Sequence, residues 1–123
     1  MYLRLLFLLC FCSGGSKAQD LALIGNCSLV IALQRSAHDV FSNEVEQLRD
    51  LLRNQHVRLL DLESWQGEAP YVNLSGRERH QIRALYAVSE NTNQVLVINR
   101  EQQVVQRLTG SVSLVDALMA CPP

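Results

Sequence analysis

Between Cys27 and Cys121 the chain has no cysteine. It therefore holds no Cys-x-x-Cys pair and no Cys/His spacing of the kind that ligates zinc. The three histidines, His38, His56 and His80, are expected on a loop, a helix-to-strand turn and a helix surface. No Gly-x-Ser-x-Gly elbow surrounds Ser36, the serine nearest His38, so the usual serine-hydrolase signature is missing. No metal or cofactor is expected. Basic charge is scarce as well: past residue 18 there are nine arginines and no lysine against twelve acidic residues. A chain of that balance lacks the basic patch that nucleic acid requires. Nor does any segment past residue 18 approach the roughly 20 apolar residues that span a bilayer. Internal repeats, low-complexity tracts and domain linkers are all absent.

What is present begins with a leader. Arg4 supplies a positive start, Leu5 to Cys12 is an unbroken apolar run, and Ser16-Lys17-Ala18 is a small-x-small cleavage site. Residues 1–18 are thus expected to be a signal peptide and residues 19–123 one domain, large enough for a single core. The protein is expected to be exported: periplasmic in a bacterium, secreted in a eukaryote, and without membrane contact once the leader is gone. Cys10 and Cys12 leave with the leader. In an oxidising compartment the remaining Cys27 and Cys121 are expected to form a structural disulfide. Free or intermolecular thiols and a redox-active pair are the alternatives. Two sequons, Asn26-Cys27-Ser28 and Asn73-Leu74-Ser75, matter only in a eukaryotic secretory pathway.

Seven elements follow in order. Residues 28–34 (SLVIALQ) read as a strand covered on both faces. Over residues 39–54, Phe41, Val45, Leu48 and Leu52 recur at helical spacing, with Asp39 as the expected N-cap. Residues 57–62 (VRLLDL) give a second strand, and a polar loop follows. Ser75-Gly76-Arg77-Glu78 has the pattern of a capping box before a helix with Ile82, Leu85 and Tyr86 inward. Residues 94–99 and 103–108 read as a hairpin joined at Asn99–Gln102, although the glycine favoured in such turns is missing. Ser113 then caps a last helix burying Leu114, Val115, Leu118 and Met119, which Pro122 and Pro123 stop.

The order β-α-β-α-β-β-α makes the first two strands parallel and the last two antiparallel. It resembles the minimal thioredoxin fold: an α/β domain with a four-stranded mixed sheet and helices on both faces. Three stretches narrow the likeness: LVIALQRSAHD, LSGRERHQIRALY and VLVINREQQVVQRLTG. Together they resemble a family of thioredoxin-like domains of unknown function. That family occurs in bacterial periplasmic proteins and in vertebrate extracellular-matrix proteins with sushi repeats or coiled coils.

The resemblance implies where chemistry would sit, namely on the loop from the first strand into the first helix, here Gln34 to Asp39. That loop has no thiol, and Asn91-Thr92-Asn93-Gln94 stands where a cis-proline is expected. Traced through this topology, Cys27 and Cys121 meet at the opposite pole. Arg35, Ser36 and His38, with Asn93 beside them, are weak candidates for binding an anion or small ligand; a His38–Asp39 relay is geometrically awkward. Trp65 and Tyr71 are weak candidates for an aromatic partner surface. The run Arg77, Arg79, Arg83 reads as a solvated helix face. The sequence thus favours an exported, non-catalytic module that binds a protein or small ligand. A thiol–disulfide oxidoreductase with chemistry relocated to Cys27 and Cys121 is the alternative.

Overall fold

The structure, a computed structural model, describes residues 27–63 and 68–122. The expected leader, Asn26 and Trp65 lie outside the described residues. Strand β1 (Cys27–Ala32) buries all six of its residues, because layers of helix cover both faces of it. Helix α1 (Arg35–Gln47) follows, then a short α2 (Arg49–Asn54) and strand β2 (Val57–Asp61). Next come α3 (Gly76–Tyr86), β3 (Gln94–Ile98), β4 (Val104–Thr109) and α4 (Leu114–Ala120). The sheet order is β2-β1-β3-β4; β1 and β2 run parallel, and the other neighbours run antiparallel.

Alternation along the strands sorts the core into two layers. Leu29, Ile31, Val95 and Val97 face Phe41 and Val45 of α1, Leu52 of α2, and Leu114 and Ala117 of α4. Val30, Leu60, Leu96 and Ile98 face Ile82 and Tyr86 of α3. The four-stranded mixed sheet therefore has helices on both faces, as expected. A disulfide joins Cys27, at the start of β1, to Cys121, just past α4, with their Cα atoms 5.7 Å apart. Asn73 of the second sequon is exposed ahead of α3.

The helices depart from expectation in three places. First, α1 starts at Arg35, and Asp39 lies inside the helix rather than capping it. Gln34 is the N-cap: its carbonyl accepts from the Ala37 and His38 amides, while its own amide donates to Asn93 Oδ1 at 2.7 Å. That contact with the neighbouring loop turns the chain one helical turn earlier than the capping preference of Asp39 suggests. Second, the expected single helix is interrupted at Leu48, whose amide is shared between the Glu44 and Val45 carbonyls. Third, the inner faces are narrower than expected. Leu85 of α3 and Val115 and Met119 of α4 are exposed, because each helix packs on the sheet along one stripe. Ile82 with Tyr86, and Leu114 with Ala117, fill those stripes.

The capping box at Ser75 is formed in full: the Glu78 amide donates to Ser75 Oγ at 3.1 Å, and the Ser75 amide donates to Glu78 Oε1 at 2.8 Å. Ser113 caps α4 by accepting from the Asp116 amide at 3.1 Å. A cis peptide bond joins Ala69 to Pro70, outside β2, where Tyr71 makes an isolated parallel bridge to Leu59.

Candidate functional site

The C-terminal ends of β1 and β2 meet the start of α1 at one pole of the sheet. An open cavity of about 520 Å³ lies there, lined by Gln34, Arg35, His38, Asp39, Ser42 and Glu63. The Gln34–Asn93 hydrogen bond holds the loop before β3 against the start of α1, although Asn93 is not among the residues that line the cavity. Arg35 is exposed and takes a φ of +36°, in the left-handed region that a residue with a Cβ rarely adopts. Ser36 is exposed and is not among the residues that line the cavity.

His38 does not pair with Asp39. Its Nε2 lies 2.7 Å from Oδ2 of Asp61, the last residue of β2, whose side chain is only 3% exposed. The second oxygen, Oδ1, accepts from the Glu63 amide at 2.9 Å. Both oxygens are thus matched, which is what a carboxylate in such a place requires. The hydrogen bond to Asp61 raises the His38 pKa above its ordinary value. Burial opposes that shift, and the charges of Asp61, Asp39 and Glu63 add to it. Ser42 Oγ lies 3.4 Å from His38 Nδ1. Burial is the main reason that the Tyr71 pKa is raised.

The Ser42–His38–Asp61 chain has the members of a hydrolytic triad but a looser geometry. Ser42 sits in mid-helix at the long end of hydrogen-bond distance. The hydrogen bond to Asp61 fixes the orientation of the imidazole. The chain serves better as a rigid polar wall. With exposed Arg35 and Asp39 beside it, the cavity offers charges of both signs. That suits a polar ligand with donors and acceptors better than a bare anion.

One expected site residue falls elsewhere. Tyr71 is 6% exposed and packs in the core on the α1 side of the sheet, so it is not part of an exposed aromatic patch. Its backbone bridge to Leu59 holds it against β2. Trp65 lies outside the described residues. Of the arginine run on α3, Arg77 is exposed, whereas Arg83 forms an ion pair with Glu63 rather than facing solvent. Asp61 is the residue that sequence reasoning missed. The signal was a lone carboxylate in an otherwise apolar strand, since such a group must find a donor. Among the described residues no group of His, Cys, Asp and Glu side chains is placed to hold a metal ion, and no helix is long and apolar enough to cross a membrane.

No protein-family model matches the sequence, and no curated protein matches it. Among solved structures, the chain is similar to a protein of Aquifex aeolicus VF5 that has been suggested to transfer electrons. The TM-score is 0.52 at 9% identity, over 79% of this chain and 77% of that one. Identity so low speaks for the fold alone. Sheet order, crossover pattern and that likeness agree on a thioredoxin-like α/β domain.

Proposed function

We propose that this chain is an exported, non-catalytic thioredoxin-like module that docks a polar protein segment or small ligand at the start of α1. The observation that carries the reading is where sulfur is and is not. The turn from β1 into α1, where this fold supports thiol chemistry, holds Gln34 to His38 and no cysteine. The cystine lies at the other end of β1, and Cys27 is 1% exposed. A thiolate must reach a disulfide sulfur for exchange to occur, so burial of Cys27 argues for a staple. The open cavity with its His38–Asp61 wall gives the opposite pole something to bind with.

The reduction potential of the Cys27–Cys121 pair tests this reading. Purified protein would be equilibrated in dithiothreitol or glutathione buffers and its free thiols counted by mass. A structural staple is expected to fall below about −300 mV. A potential between roughly −120 and −270 mV with fast exchange would instead establish relocated oxidoreductase chemistry at Cys27 and Cys121.

A further inference from the structure

A second cavity lies at the opposite end of β2 and rests on separate observations. Helix α2 ends at Asn54, and the chain turns into β2 through Gln55 and His56, the latter at a φ of +56°. That tight turn brings Arg53, His56 and Arg58 to one side. Facing them, Pro70 accepts from the Leu59 amide at 3.0 Å, and the Val72 amide donates to the Leu59 carbonyl at 2.9 Å, which fixes the 70–72 segment against β2. Between the two walls is a cavity of about 230 Å³, lined by the three basic side chains and by Val57, Pro70 and Tyr71.

The charge in this cavity is one-sided. No carboxylate is among its lining residues. Arg49 and Arg83 are ion-paired with Glu46 and Glu63, whereas Arg53, His56 and Arg58 form no ion pair among the described residues. Arg53 also borders an adjoining hollow with Glu46, Arg49 and Glu68, and there Arg49 is paired with Glu46. Like charges gathered in one concavity repel, and a bound anion relieves that repulsion. Two guanidinium forks match the oxygens of a tetrahedral anion, which a single point charge does not. Val57, Pro70 and Tyr71 close the rest of the cavity but are themselves buried, so the basic side chains are what a ligand meets.

We propose that Arg53, His56 and Arg58 form a binding site for the phosphate or sulfate group of an ester. The site is independent of the cavity at the start of α1. Its test is a titration of the oxidised protein with phenyl phosphate, phenyl sulfate and inorganic phosphate, followed through backbone amide shifts. Saturable shifts are expected at residues 53–58 and 69–72 with each of the three. Arg53→Gln and Arg58→Gln are each expected to weaken binding about tenfold, as for one lost charge-assisted hydrogen bond. Arg35→Gln, at the other pole, should leave it unchanged. Tighter binding of one aryl ester than the other would assign the natural ligand as a phosphate or a sulfate. Both arginine variants are at the surface or half-buried, and an unchanged amide spectrum elsewhere will show that they fold. Shifts that do not saturate, or an affinity unaltered in the Arg53→Gln/Arg58→Gln double variant, would overturn the proposal.

Discussion

A carboxylate shut away as Asp61 is costs stability unless its oxygens are matched, and His38 supplies one of the two matches. Because the Asp61 hydrogen bond raises the His38 pKa, the folded protein holds the imidazole proton more tightly than the unfolded chain does. The pair's contribution is therefore whole below about pH 6.5, the ordinary histidine value, and fades as pH rises through the elevated one. The groups facing this imidazole are Asp61 from β2, Glu63 beyond it, and Asp39 and Ser42 from α1. Urea denaturation across pH 6 to 9 should show stability declining with pH. His38→Gln should flatten that decline and cost about 1–3 kcal/mol at the acid end. A parallel decline in the variant would mean that His38 is not the group responsible. Little of this pair was legible in the sequence. His38 and Asp61 lie 23 positions apart, and only the parallel β1–β2 pairing brings the end of β2 beneath the first turn of α1.

At the scale of elements, the turn between β3 and β4 shows how a residue can fill a role that another fills better. The Gln102 amide donates to the Asn99 carbonyl and the Asn99 amide to the Gln103 carbonyl, with Gln102 between them at a φ of +66°. This is a hairpin loop that ends on a left-handed residue, the position where glycine is favoured. Asn99 compensates in part by accepting the Gln103 amide on its side chain at 2.9 Å. Gln102→Gly is expected to stabilise the fold by about 0.5–1 kcal/mol, since relief of the left-handed penalty outweighs the added freedom of the unfolded chain. A higher urea midpoint at unchanged slope would check it; a lower midpoint would show that the Gln102 side chain matters more than its backbone. The hairpin itself was legible despite the missing glycine, because strand-like runs rich in valine, leucine and isoleucine on either side of a polar tetrapeptide leave few other arrangements. Element type and order were legible for the same reason. Helix boundaries were less so: the start of α1 is set by Asn93, which is 59 residues from Gln34.

Across the whole molecule, the two ends of β1 have different tasks. One end presents the open, polar cavity at the start of α1; the other is tied to α4 by the cystine. The bridge was legible because the leader reading left two cysteines and the topology brought both to one pole. It spans 94 positions, so it restricts the unfolded chain strongly. Its removal is expected to cost about 2–5 kcal/mol, a large part of the roughly 5–15 kcal/mol margin of a small domain. The Cys27→Ser/Cys121→Ser double variant should therefore lose that much stability in urea. Yet it should keep the pH dependence set by His38 and Asp61, because that pair is held by the β1–β2 register and by α1 rather than by the cystine. If the pH dependence disappeared along with the bridge, the poles would be coupled through β1. The cystine could then no longer be regarded as a passive staple.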